Sequence, residues 1–122
     1  MQLHYLDFDF SDEASGRGSF DAMASVEPVR LAALLQEVNA VLRWARHEWG
    51  PAGALQDEGD WDLLLQAADE AGHELHASFD PVTHEARVEG APTSAGFITV
   101  TFTLTGSGEF CDAFRRRFTD ED

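Results

Sequence analysis

The chain has 122 residues, of which 23 are Asp or Glu and 8 are basic, so its formal net charge at pH 7 is −15. That length fits one compact domain, and 43% hydrophobic residues supply a core and argue against intrinsic disorder. The acidic excess argues against nucleic acid and anionic membranes as partners, because both bind mainly cationic surfaces.

The composition and the first residues of the chain predict its cellular compartment and its source. No apolar run approaches the roughly 20 residues of a membrane span, and the first ten residues contain no basic leader, so we expect a soluble cytoplasmic protein. All eight basic residues are Arg, a codon preference typical of a GC-rich genome, and we expect a bacterial source. The single cysteine, Cys111, cannot form an intramolecular disulfide.

Residues 3–10 alternate in the manner of a half-buried strand. The face predicted to point inward carries His4, Leu6, Phe8 and Phe10, and the other face carries Asp7 and Asp9. Residues 11–18 are small and polar, which predicts a turn or loop. Residues 19–24 predict a second strand that forms a hairpin with the first.

A helix is the clearest element of the next segment. Ser25 is predicted to cap it, and Pro28 is tolerated in its first turn. Gly50 and Pro51 are predicted to end it. One apolar stripe follows the helical period and includes Leu31, Leu34, Leu35, Val38, Val41, Leu42, Ala45 and Trp49.

Strand patterns dominate the remaining chain. Residues 52–60 predict a loop, and residues 61–69 are ambiguous between strand and helix, with strand favoured by the strand-rich region that follows. Residues 75–79 and 86–88 predict a hairpin around a turn that contains Pro81. Residues 97–105 alternate apolar side chains with threonine, which predicts a strand with one face open to water.

The last predicted element is a short helix. Phe110, Phe114 and Phe118 recur every four residues and form its spine. We therefore predict a single α+β domain over residues 1–118, with two helices on one face of a mostly antiparallel sheet of about six strands, in the order β-β-α-β-β-β-β-α. Residues 119–122 are predicted to form a frayed acidic tail.

Asp7 and Asp9 are the candidate metal ligands, since two carboxylates on one face of a strand could share a cation. The segment that contains them, LDFDFS, resembles the D-x-D-x-[TV] signature of haloacid-dehalogenase-type phosphatases, in which the first Asp is the nucleophile. Ser11 departs from that signature, and the chain lacks the downstream lysine of that family. A solvated acidic strand edge is the alternative interpretation.

Two further motifs are weaker candidates. His73 and His76 resemble a zincin H-E-x-x-H motif that is one residue short, and on a strand they would point to opposite faces. Cys111 lies beside the phenylalanine spine, which predicts a buried structural thiol.

A surface for a protein partner is predicted on the first helix. Trp44 projects away from the apolar stripe beside Ala40 and Glu37, and an exposed tryptophan among small residues is typical of an interface anchor. Trp61 is predicted to mark the rim of the same surface. The alternative is that residues 52–61 fold over Trp44 and cover it.

These patterns do not identify a specific activity. The favoured hypothesis is a small acidic, non-catalytic protein-binding module that binds a basic protein or associates with itself, without nucleic acid, membrane or cofactor. Inhibitors, antitoxin or immunity-type proteins and nucleic-acid mimics share this composition. The alternative is a small metal-assisted hydrolase or ligand-binding protein that uses Asp7 and Asp9 with His4 or His76, which requires these groups to converge in a pocket.

Overall fold

Strands and helices follow one another in the predicted order. The computed structural model describes residues 3–13, 16–50, 61–80, 85–89 and 96–119. The strands are β1 (Asp9–Asp12), β2 (Gly18–Val26), β3 (Trp61–Ala68), β4 (Glu74–Asp80), β5 (Glu85–Glu89) and β6 (Ile98–Gly106). The helices are α1 (Leu31–Trp49) and α2 (Gly108–Phe114), and a π-helical turn, Arg115–Thr119, continues α2. We call α2 and this turn together the C-terminal helix.

Strand β6 lies at the centre of one antiparallel sheet with the order β1-β2-β6-β3-β4-β5. It pairs along its whole length with β2, which precedes it by more than 70 residues, and along most of its length with β3. In this register Ala22, Phe102 and Leu65 lie side by side and point to the same face. Alternation within each strand therefore builds one continuous apolar face.

Both helices contribute to a single core on that face. The sheet supplies alternate residues such as Phe20 and Val100, and α1 supplies its predicted stripe. The C-terminal helix adds its spine, since Phe110, Phe114 and Phe118 are all buried. The predicted α+β domain with two helices on one side of a six-stranded antiparallel sheet is thus confirmed. No helix in the described part of the chain is both long and apolar enough to span a membrane.

The first predicted strand begins later than expected. Residues 3–8 are not in a strand, and β1 starts only at Asp9. The reason is that the backbone N–H groups of residues 4–6 donate to the carboxylate of Glu37 on α1 rather than to a neighbouring strand. The predicted hairpin nevertheless forms, because β1 pairs with β2. Leu6 is buried as predicted, whereas Phe10 is partly exposed.

The predicted cap of the first helix is wrong. Ser25 belongs to β2, and its hydroxyl lies 2.7 Å from that of Thr99 on β6. Strand pairing thus continues through Val26, and the chain then forms a 3₁₀ turn at Pro28–Arg30 before α1. The end of the helix is as predicted, since Gly50 adopts a φ of +79°, a conformation that L side chains rarely adopt.

Both edges of the sheet are short and charged. Strand β1 has four residues, all exposed, and two of them are aspartates. Strand β5 has five residues and exposes Glu85, Arg87 and Glu89. Asn39 on α1 accepts the Ala86 N–H of β5 at 2.6 Å. Such edges disfavour the addition of another strand.

Candidate functional site

Trp61 belongs to the interior and does not form the predicted rim. Its side chain is 1% exposed, and its indole N–H donates to the carbonyl oxygen of Gly50 at 3.0 Å. Its ring stacks parallel to that of Phe110, with the centroids 5.8 Å apart. Trp61 therefore closes one end of the core, and the prediction that it marks the rim of a surface is wrong.

Glu37 is also interior, at 8% exposure. Its two carboxylate oxygens accept hydrogen bonds from the backbone N–H groups of His4 (2.8 Å), Tyr5 (3.0 Å) and Leu6 (3.1 Å). A buried carboxylate is tolerated because these donors replace its water. Glu37 thus holds the N-terminal segment against α1 and does not present a surface to a partner. Its position three residues after the stripe residue Leu34 is a sequence signal that would have placed it on the inward face.

Trp44 is partly buried between the helices. Its ring centroid lies 5.8 Å from that of Phe110, 6.0 Å from Phe114 and 5.4 Å from Phe118. The C-terminal helix therefore covers one side of the indole, and the neighbouring Ala40 is also partly buried. Residues 51–60, most of the loop proposed to cover Trp44, lie outside the described residues. An interface role for Trp44 stays a prediction.

The candidate metal ligands are exposed. Asp7 precedes β1, and Asp9 lies at the start of β1 opposite Asp21. His76 lies on β4, which is next to the opposite edge of the sheet from β1. Within the described residues, no group of three or more His, Cys, Asp or Glu side chains is arranged to hold a metal ion. The convergence that a metal-assisted hydrolase requires is therefore not found there.

His73 and Cys111 have structural surroundings. His73 belongs to the turn before β4, where its ring nitrogen Nδ1 lies 3.2 Å from Asp69. Cys111 is buried, as expected from its place beside the phenylalanine spine. Burial, followed by the negative charge of Asp112, raises the pKa of the Cys111 thiol. The thiol is therefore protonated at neutral pH and a poor nucleophile.

The sheet surface that faces away from both helices combines threonines, carboxylates and two exposed apolar side chains. We call it the open face and define it as the outward residues of β1, β2, β6 and β3. Threonines at alternate positions of β6 form its centre: Thr99, Thr101, Thr103 and Thr105. The carboxylates of Asp9, Asp21 and Asp62 lie around them, and none of the outward residues of these four strands is basic.

Two large apolar side chains stand out on the open face. Met23 on β2 is 67% exposed and Leu64 on β3 is 54% exposed. In the register Met23 lies beside Thr101, and Leu64 lies beside Thr103. Strand spacings of about 4.8 Å and a rise of about 3.3 Å per residue place them roughly 12 Å apart, on either side of β6.

Sequence reasoning missed this pair for different reasons. The outward position of Met23 could have been predicted from the sequence, because strict alternation in β2 puts Phe20, Ala22 and Ala24 inward. The outward position of Leu64 could not, because Leu64 lies in a run of three leucines that has no period.

Comparisons of the chain with protein-family models, with curated proteins and with solved structures give no match.

Proposed function

We propose that this chain is a non-catalytic binding module of the bacterial cytoplasm that holds a basic protein partner on the open face of its sheet. The observation that carries the proposal is the exposure of Met23 and Leu64 on a surface whose other outward residues, apart from Ala68, are polar or acidic. Protein–protein interfaces usually have an apolar centre within a polar rim, and methionine is enriched in them.

The charge of the chain supports a basic partner. The chain has a net charge of −15, and the outward carboxylates of Asp9, Asp21 and Asp62 lie on the same face as the two apolar side chains. A surface that carries lysine or arginine around an apolar centre would be complementary to it. Such complementarity mainly accelerates association and selects partners, whereas apolar burial stabilises the complex. The same charge disfavours nucleic acid and anionic lipid.

The geometry of the sheet favours its face over its edges. Strand addition needs a long edge with free backbone groups, whereas β1 and β5 are short and carry exposed charges. Asn39 already occupies the N–H of Ala86 in β5. Strand β6 is paired with β2 on one side and with β3 on the other along nearly all of its length, so the centre of this surface offers side chains rather than backbone.

The test begins with capture of partners from a lysate of the source organism on the immobilised chain, at low and high salt. The captured protein is then purified, and its Kd is measured for the wild type and for the double variant Met23→Ser/Leu64→Ser. Removal of two apolar anchors is expected to weaken binding by at least about tenfold, since each buried methylene contributes roughly 0.8 kcal/mol.

The matched control is Val29→Ser, because Val29 is 82% exposed but lies in the 3₁₀ turn outside the open face. It should bind like the wild type. Equal affinity of the double variant, or a partner that is itself acidic, would contradict the proposal. Loss of binding only in Trp44→Ala would move the interface to the helical side of the molecule.

A further inference from the structure

A groove lies at the end of the sheet where β2 and β3 finish and β6 begins, and we call it the strand-end groove. Its volume is about 470 Å³, within the roughly 300–1,000 Å³ range of small-molecule sites. Six residues line it: Glu27, Pro28, Val29, Glu70, Gly96 and Phe97.

The register of the strands explains why these residues meet. The last pair of β2 with β6 is Val26 with Ile98, and Glu27 and Phe97 lie just beyond that pair. Strand β3 also ends beside the start of β6, and Glu70 follows two residues after the end of β3. Segments that are far apart in sequence therefore come together at one end of the sheet.

Part of the groove is apolar and accessible. Val29 is 82% exposed and Phe97 is 48% exposed, so two of the large apolar side chains that are exposed in this protein line the same groove. Pro28 precedes Val29 in the 3₁₀ turn, where its ring fixes the backbone. A hydrocarbon group that packs on this surface would remove it from water, which is favourable.

The charged part of the groove is a carboxylate that packs against a glycine. A Cβ built at Gly96 would lie 2.8 Å from Oε2 of Glu70 and 2.9 Å from its Cβ, distances that real Cβ atoms essentially never show. A side chain at position 96 would therefore displace Glu70. In the described part of the chain, no ion pair involves Glu70, so its carboxylate is available to a cation.

The charges around the groove favour a cation. None of the six lining residues is basic, and two of them are glutamates. Arg30 attracts the Glu27 carboxylate, but its guanidinium is hydrogen-bonded to the side chain of Tyr5. Arg30 therefore offsets part of the charge of Glu27, and Glu70 provides the main attraction. The net charge of −15 adds a field that concentrates cations near the surface.

We infer that the strand-end groove binds a small primary amine that carries a hydrocarbon group, with its ammonium at Glu70 and its hydrocarbon group against Val29 and Phe97. An ammonium has three N–H donors and no acceptor, so it matches carboxylates, whereas the same carboxylates repel an anion. The inference is independent of the proposed function, because the groove residues lie outside the strands that form the open face.

The probe is 2-phenylethylamine, which is protonated at neutral pH. It is titrated into the ¹⁵N-labelled chain while the backbone amide signals are followed. Saturable shifts are expected at Val29, Glu70 and Phe97, with much smaller shifts at Met23 and Leu64 of the open face. Two neutral or smaller analogues are controls: 2-phenylethanol lacks the charge and methylamine lacks the ring, and each should bind at least about threefold more weakly.

Variants separate a placed carboxylate from general attraction by an acidic protein. Glu70→Gln should weaken binding of 2-phenylethylamine by about threefold, as expected for an exposed ion pair. Gly96→Ala should cause a similar loss, because its Cβ displaces the Glu70 carboxylate while the charge is retained. The matched control is Glu48→Gln near the other end of α1, where the side chain is 54% exposed, and it should change the Kd by less than about 1.5-fold.

The inference is overturned by equal binding of 2-phenylethylamine and 2-phenylethanol, by an unchanged Kd in Glu70→Gln or Gly96→Ala, or by the absence of saturation in the millimolar range. Val29→Ser should weaken binding of the amine and leave binding of the protein partner unchanged. Loss of both in this variant would show that the groove belongs to the protein interface and is not a separate amine site.

Discussion

At the scale of single residues, Glu37 shows how one buried charge organises a segment far from it in sequence. Its carboxylate accepts N–H groups from three successive residues that precede it by 31–33 positions. Those N–H groups would otherwise have to find partners in a strand or in water. The position of the N-terminal segment therefore depends on a single side chain of α1.

We expect Glu37→Ala to lower the free energy of unfolding by about 2 kcal/mol, because it removes charge-assisted hydrogen bonds and leaves N–H donors near the core without an acceptor. Urea denaturation followed by fluorescence measures the change. Glu37→Gln retains an acceptor oxygen, so its free energy of unfolding should fall by less.

The matched control is Glu48→Ala on the same helix, where the side chain is 54% exposed. It should change stability by less than about 0.5 kcal/mol. If Glu37→Ala also lowered stability by less than about 0.5 kcal/mol, the N-terminal segment would contribute little to the stability of the fold.

At the scale of elements, the turn between β3 and β4 is held by side-chain and backbone contacts together. Asp69 accepts the backbone N–H of His73 at 2.8 Å, and its own N–H donates to the His73 carbonyl oxygen at 2.9 Å. Gly72 adopts a φ of +90°, which closes the turn. The hydrogen bond from the His73 N–H, assisted by the His73 ring, holds the pKa of the Asp69 carboxyl below its usual value of 3.8.

This lowered pKa predicts the sign of a pH effect. A carboxyl whose pKa is lower in the folded state stabilises the fold fully above its unfolded pKa, and the contribution is lost as the pH falls through the folded pKa. As the pH falls below about 5, the wild type should therefore lose more stability than Asp69→Asn, as measured by urea denaturation at each pH.

NMR titration of the Asp69 carboxyl distinguishes the two sources of the shift. His73→Ala should retain most of it, because the backbone N–H, which is the larger cause, remains. Titration of Asp69 at or above its usual value in the wild type would contradict this account of the turn.

At the scale of the whole molecule, charge is unevenly distributed. Five of the eight arginines lie on the helices: Arg43, Arg46, Arg115, Arg116 and Arg117. The outward residues of β1, β2, β6 and β3 include aspartates and no basic residue. This separation gives one molecule two chemically different surfaces, an acidic sheet face and a helical side with local positive charge.

A net charge of −15 should make stability depend on ionic strength. Because like charges repel in the folded state and salt shortens the screening length from about 30 Å at 0.01 M to about 8 Å at 0.15 M, the Tm should rise with NaCl at pH 7. If screening raises the free energy of unfolding by about 1 kcal/mol, the Tm should rise by roughly 4 °C.

Differential scanning calorimetry measures the rise, and KCl is the control, because screening is the same for both salts. A Tm that falls with salt would show that attractive ion pairs outweigh the repulsion. A rise with only one of the two salts would indicate binding of a particular cation.

The sequence by itself determined the elements whose pattern is local. Alternation of Ile98, Val100, Phe102 and Leu104 with threonines defined β6, and the spacing of Phe110, Phe114 and Phe118 defined the spine of the C-terminal helix. The helical end at Gly50 and the burial of Cys111 followed in the same way. These features were predictable because periods of 2 and 3.6 residues and the conformational freedom of glycine act within a few residues of chain.

Only the tertiary structure decided which surfaces are left for function. The order of the strands, the burial of Trp61 and Glu37, and the exposure of Leu64 depend on pairing between segments far apart in sequence, such as β2 with β6. Such pairing is selected by the fit of whole apolar faces rather than by any local pattern. The candidate binding surface is therefore the open face of the sheet, whereas the sequence had predicted a surface on the first helix around Trp44.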